Sequence, residues 1–223
     1  MMNLRNIIFD LDGTLLDTSE GIMESARYAA SEMGFPELSR EVLLTFVGPP
    51  IQMSFMKHCG CDKQEAQKAA EIFRDYYKNQ ALFLAKPYNG IYEVCEVLRR
   101  EGRKLAVATY KREDYALDLL KHFHFDEYFD VMHGADNNNV LSKKDIVERC
   151  IQELNGTKKE SVLVGDTEFD AKAAQEMKLP FIGVTYGFGF FTEKDVNRFL
   201  NIGTAENPLD IDNIISSSEH SYK

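Results

Sequence analysis

No apolar run in this 223-residue chain approaches the ~20 residues of a membrane-spanning helix, so a helical membrane protein is excluded. The run Ile7-Ile8-Phe9 behind Met1 to Arg5 is too short for a signal-peptide core and lacks a small-residue cleavage site, so an unexported, cytoplasmic protein is expected. Cysteine is scarce and unpatterned. Cys59, Cys61, Cys95 and Cys150 show no disulfide-framework spacing, which suits reduced thiols. His58, Cys59 and Cys61 cluster, but the second ligand pair of a zinc site is missing. Positive charge is outweighed as well: 26 Lys and Arg against 36 Asp and Glu leave a net charge of −10. Long-range repulsion then opposes nucleic acid and anionic lipid, and any phosphate site must be made positive locally. Three catalytic signatures are absent: a Walker-type glycine loop, a dinucleotide glycine fingerprint after a strand, and a Gly-x-Ser-x-Gly elbow. No internal repeat is found.

What is present suits a globular enzyme, with 44% hydrophobic and 28% charged residues. Four short apolar runs, Ile7 to Phe9, Leu105 to Ala108, Val162 to Val164 and Phe181 to Val184, read as buried parallel strands. Helical periodicity lies between them, in Leu117, Leu120 and Lys121 after Arg112, and in Ile146, Cys150, Ile151 and Leu154. Alternation of strand and helix predicts a doubly wound α/β fold with a parallel, Rossmann-like sheet. About a hundred residues separate the first two strands, far more than one crossover needs. That segment carries helical patterns only: Ile22, Ala26, Ala29 and Met33, then Ala66, Ala70, Phe73 and Tyr77. The expected division is a core of 1–16 and 86–223 and an inserted helical cap of 17–85. Hinges are expected near Asp17, before a helix capped near Ser19, and near Pro87, where Asn89-Gly90 follows. The tail after Gly203, with Ser216-Ser217-Ser218, reads as peripheral.

Ligands of open α/β sheets bind beyond the carboxyl ends of the strands, so the residues ending each apolar run carry the information. These are Asp10-Leu11-Asp12-Gly13-Thr14, Thr109-Tyr110-Lys111, and Gly165-Asp166-Thr167-Glu168-Phe169-Asp170, with Lys143 opening a helix between the last two. Carboxylates gathered at one sheet edge repel unless a cation sits among them, and hard oxygens suit Mg²⁺. Each piece has a plainer reading. Asp12-Gly13 alone can be a turn, Asp166 or Thr167 a helix cap, and Lys143 and Lys144 surface lysines. A calcium loop is excluded, because Gly13 stands at the fourth position and not the sixth. If Ser142 caps its helix, Lys143 sits in the first turn, where the helix dipole disfavours a cation unless an anion is shared. Helix N-terminus and ammonium would then grip a phosphoryl group, with Thr109 donating a further hydrogen bond. Gly187-Phe188-Gly189 is a loop after the fourth strand, with or without a function. The aromatics at helical spacing, Tyr28, Tyr76 and Tyr77 among them, read as packing.

In this order, Asp10-Leu11-Asp12-Gly13-Thr14-Leu15, Thr109, Lys143, and Gly165-Asp166 with Asp170 resemble the four motifs of the haloacid dehalogenase-like hydrolase superfamily. Thr185-Tyr186-Gly187-Phe188-Gly189 and the inserted helices look like its phosphoglycolate phosphatase-like branch. The resemblance implies a Mg²⁺-dependent phosphatase in which Asp10 is the nucleophile and Asp12 the general acid and base. It puts Asp10, Asp12, Asp166 and Asp170 at the metal, and Thr109, Tyr110, Lys111, Lys143 and, from the cap, Gly48 at the substrate. Tyr110, where relatives often have a small polar residue, and Lys144, where they often have proline, depart from the pattern. The second departure leaves Lys144 as the alternative to Lys143. The implied partner is a small phosphorylated metabolite, with neither nucleic acid nor membrane. Phosphoglycolate, a nucleoside monophosphate and pyrophosphate stay open as substrates, as do a sugar phosphomutase and a non-catalytic phospho-ligand module. Oligomeric state is not legible.

Overall fold

The computed structural model describes residues 3–136 and 140–220, and the chain divides into two compact units, 1–16 with 87–223 and 17–86. The first unit is built on a six-stranded sheet. β1 (Asn6–Phe9) lies at its middle, where Ile7, Ile8 and Phe9 are all buried, as a strand covered on both faces requires. β1 pairs in parallel with β4 (Lys104–Arg112) on one side and β6 (Ser161–Gly165) on the other, Phe9 standing opposite Val107 and Val164. β5 (Val131–Ala135) lies beyond β4, and β7 (Phe181–Val184) and β8 (Gly203–Ala205) lie beyond β6, giving the order β5-β4-β1-β6-β7-β8. All these pairings are parallel, so every strand carboxyl end points to one edge.

Helices α5 (Ile91–Arg100), α6 (Glu113–His122), α7 (Lys143–Glu153), α8 (Glu168–Met177), α9 (Glu193–Val196) and α10 (Asp210–His220) complete the unit. α7 shows the logic of its sequence. Ser142 caps it, accepting from Asp145 N while Asp145 reaches back to Ser142 N, and Ile146, Val147, Cys150 and Ile151 face the core. In α6 the buried face is Tyr115, Ala116, Leu119 and Leu120, so Leu117 is exposed and not part of the apolar stripe expected from its spacing.

Two strands of this sheet went unrecognised in the sequence. β5 is interrupted by His133 and Gly134, and β8 is the short Gly-Thr-Ala. β8 also overturns the reading of a peripheral tail: it pairs with β7, and Ile211 and Ile215 of α10 are fully buried. Ser216, Ser217 and Ser218 lie in that helix, where Ser218 Oγ donates to Ile215 O. A polar run is compatible with a docked helix when its alternate turns are apolar.

The helical unit contains α1 (Ser19–Glu32), α2 (Arg40–Leu44), α3 (Ile51–Cys59), α4 (Lys63–Tyr76) and a π-helical turn over Tyr77–Ala81. Its core is Ala26, Ala29, Phe46, Phe55, Ala66, Ala70, Phe73 and Tyr77, all buried, while Met33 falls just past the end of α1 and is half-buried. A Cβ on Gly21 would lie 2.3 Å from Ala81 O, so glycine allows α1 to approach the π turn. The N-cap of α1 is Thr18 and not Ser19; Ser19 N instead donates to Asp17 Oδ1 at 3.1 Å. β2 (Leu16–Asp17) and β3 (Lys86–Pro87) form a two-stranded ladder where the chain leaves and re-enters the α/β unit. No helix among the described residues is long and apolar enough to cross a membrane.

Candidate active site

Asp10 follows β1, Thr109 lies in the carboxyl-terminal half of β4, Asp166 follows β6 and Lys143 opens α7, so all four arrive at the same sheet edge. The strand order turns back at β1, which is where open parallel sheets form their ligand crevice. β4 runs to Arg112, further than its apolar residues suggest, and the register shifts between Ala108 and Arg112. Irregularities of this kind re-aim side chains, here Thr109, Tyr110 and Lys111.

Lys143 is 3% exposed, and its ammonium lies 2.5 Å from Asp10 Oδ1 and 2.7 Å from Asp170 Oδ1. Burial alone would lower that ammonium, but the two carboxylates outweigh burial and hold it above its ordinary range. Lys144 is half-buried, and it is Lys143 that reaches the carboxylates. Asp170 is also the N3 residue of a capping box in α8, accepting from Thr167 N at 3.1 Å and Thr167 Oγ1 at 2.6 Å. The cap thereby aims its second oxygen at Lys143. One oxygen each of Asp10, Asp166 and Asp170 lies within 4.8 Å of the others.

Burial raises the Asp10 carboxyl to about 7, with Asp170 and Asp12 adding to the effect and Lys143 opposing it. Asp166 is pushed well above its ordinary value, first by burial and then by Asp10 and Asp170. Its Oδ2 accepts from Phe188 N at 2.7 Å and Gly189 N at 3.2 Å, whereas Oδ1 is buried with no hydrogen-bond partner. Three buried carboxylates, two of them bridged by one lysine and the third with an orphaned oxygen, form a hard-donor set that fits a divalent cation such as Mg²⁺. The Asp12 carboxylate stands outside this cluster. Its Oδ1 is 3.0 Å from Lys111 Nζ, a counter-charge at hydrogen-bond distance, so it is the carboxylates of Asp10, Asp166 and Asp170 that come together.

Tyr110 packs edge-on to Phe169, with its ring centroid 5.9 Å from Lys143 Nζ. Thr109 is buried and its Oγ1 accepts from Lys111 N at 3.1 Å. Gly48 lies in the helical unit, between α2 and α3, with φ 101°. His58 Nε2 lies 2.9 Å from Thr45 Oγ1, and the metal-ligand cluster among the described residues does not involve His58, Cys59 or Cys61. The sequence did not reveal the role of Gly187-Phe188-Gly189 as a clasp on Asp166. A Cβ on Gly187 would lie 2.3 Å from Gly13 O and 2.5 Å from Asp166 Oδ2, so a glycine between two bulky residues was the available signal.

The model of the haloacid dehalogenase-like hydrolase family matches residues 7–184. The chain belongs to that family. A 5'-nucleotidase of Pseudomonas aeruginosa is 35% identical over 82% of this chain and 84% of its own length. Pyrophosphatase PpaX of Halalkalibacterium halodurans is 31% identical over 76% and 78%. Among solved structures, a predicted phosphatase from Clostridium acetobutylicum superposes with a TM-score of 0.86 at 33% identity, covering 99% of both chains. This member of the haloacid dehalogenase-like hydrolases is an enzyme of the phosphatase type.

Proposed function

We propose that this hydrolase is a Mg²⁺-dependent phosphatase that releases phosphate from a small phosphomonoester through an aspartyl-phosphate on Asp10. The observation that carries the reading is the buried Asp10–Lys143–Asp170 arrangement beside Asp166, whose Oδ1 has no partner. Asp10, Asp166 and, at its edge, Asp170 would hold the cation, which when bound offsets the charge of the phosphoryl group. Asp10 attacks phosphorus in line, the bond to the leaving oxygen breaks, and Asp12 donates a proton to that oxygen. Asp12 then takes a proton from water as the water displaces Asp10, and phosphate leaves. Lys143 and Thr109 bind the phosphoryl oxygens, with Tyr110 and Lys111 at the rim. Helices 17–86, which include Gly48, serve as the cap that selects the leaving group. The free thiols of Cys59, Cys61, Cys95 and Cys150 suit a reducing cytoplasm.

The substrate reading that resembles phosphoglycolate phosphatases rests on Thr185 to Gly189. A 5'-nucleotidase is the second reading, favoured by the 35% identical Pseudomonas aeruginosa relative. Phosphate release from phosphoglycolate, nucleoside monophosphates, pyrophosphate and sugar phosphates, with Mg²⁺ and with EDTA, tests both. Metal-dependent release that disappears in Asp10→Asn is expected, and the best substrate separates the two. Hexose phosphate isomerised without release would indicate a mutase, and binding without turnover a non-catalytic module.

A further inference from the structure

The turn that carries Asp12 is closed on itself. Thr14 N, Leu15 N and Leu16 N all donate to Leu11 O, at 3.3, 2.9 and 3.0 Å, and Gly13 N donates to Leu16 O at 2.8 Å. Such a knot is rigid inside, and its placement depends on what holds it from outside. Two tyrosines of the α/β unit do so. Tyr186 Oη donates to Thr14 O at 3.1 Å across 172 residues of sequence, and Tyr88 N donates to Leu15 O at 3.2 Å. The two rings pack on each other with centroids 4.8 Å apart. Tyr186 directly precedes Gly187, which abuts Gly13 O, and the Phe188 and Gly189 amides that clasp Asp166. One loop therefore touches both the Asp12 turn and the Asp166 carboxylate.

We infer that Tyr186, braced by Tyr88, is a positioning residue that sets where the Asp12 carboxyl stands relative to the leaving oxygen. Thr109 and Lys143 sit on β4 and α7, and Asp10 is held where it directly follows β1, so a shift of the Asp12 turn affects proton delivery before it affects binding. The inference rests on Asp12 acting as the general acid, and the test separates the two claims.

Tyr186→Phe keeps the ring against Tyr88 and removes only the O–H···O=C link. Both kcat and kcat/KM, the latter ending at departure of the leaving group, are compared for p-nitrophenyl phosphate, whose leaving group needs little protonation, and for the fastest alkyl phosphomonoester of the substrate panel. Asp12→Asn and the double variant are measured beside it. Tyr186→Phe is expected to lower kcat for the alkyl ester roughly tenfold, the scale of one buried hydrogen bond, with KM unchanged. Its effect on p-nitrophenyl phosphate should stay within about twofold, and it should add nothing in the Asp12→Asn background, since the two act through one group. Equal losses on both esters, or the same loss again in the double variant, would overturn the inference. Asp12→Asn lowering kcat/KM for both esters alike would instead overturn the acid assignment, because kcat/KM ends at departure of the leaving group and excludes the later base step. If Tyr186→Phe does not fold, Tyr88→Leu, which removes the bracing ring and spares the Tyr186 hydroxyl, must give the same ester-selective loss.

Discussion

The two units spend burial differently. Every buried aspartate and lysine among the described residues, Asp10, Asp12, Lys143, Asp166 and Asp170, lies in the α/β unit at one sheet edge. The helical unit buries only Thr18, Ser25 and Ser54 among polar side chains, and its core is apolar, mostly alanine and aromatic. Burying a charge is costly unless it is paired, and crowding carboxylates costs more. A sheet edge that retains five such groups trades stability for chemistry, whereas the helical unit is packed for stability. The contrast puts the groups of the proposed reaction in the α/β unit.

The sharpest way to break this contrast is Asp10→Asn. Phosphate release should fall by at least about a thousandfold, the scale of losing a catalytic nucleophile. Thermal melts of the same variant should show a protein at least as stable as the parent, because a buried charge has gone.

Lys143→Met tests the edge from the other side. It leaves Asp10 and Asp170 facing each other without their ammonium, and urea unfolding in EDTA should show a loss of about 3–5 kcal/mol. A loss under ~1 kcal/mol would show that the pair is not the keystone of the cluster.

Gly187→Ala forces a Cβ against Gly13 O and Asp166 Oδ2. Calorimetric titration should show Mg²⁺ affinity reduced by roughly tenfold to a hundredfold, as when a ligand's supporting shell is disturbed. Unchanged affinity would mean that the clasp does not orient Asp166.

The pH dependence of stability follows from Asp10, whose carboxyl rises on folding from 3.8 to about 7. The folded chain then binds more protons than the unfolded chain across that window, so stability falls as pH rises through it. Melting temperatures in EDTA should decline between those pH values, and Mg²⁺ should flatten the decline. A melting temperature that rises over this range without metal would contradict the crowding of the cluster.

The smallest effect belongs to the helical unit. Asp62→Ala removes the capping box of α4 and should cost about 1 kcal/mol in thermal or urea unfolding. Turnover of p-nitrophenyl phosphate should stay within about twofold. A large kinetic loss would show that this unit is more than packing.

Much of the α/β unit was legible in the chain alone. Ile7 to Phe9 and Val162 to Val164 are short apolar runs ended by Asp10 and by Gly165-Asp166, and a buried parallel strand needs little else to announce itself. Lys143 was legible because a cation in the first turn of a capped helix runs against the dipole. β5 and β8 were not legible, since His133, Gly134 and Gly203 break the apolar signal and only the neighbouring strands supply their pairing. The C-terminal tail was misread for the same reason: burial of Ile211 and Ile215 depends on docking, which no local pattern among serines reveals.

By itself, then, the sequence determined the strand-and-helix alternation, the helical insertion and the residue types at each strand end, because periodicity and turn chemistry are local. Only the tertiary structure decided which of those groups meet. It placed Lys143 between Asp10 and Asp170, gave Asp12 to Lys111, turned Phe188 and Gly189 amides onto Asp166, and hung the Asp12 turn from Tyr186. Those contacts join residues up to 172 positions apart, and no spacing along a chain specifies a partner at that distance. Sheet order and register bring them together, and with them the chemistry.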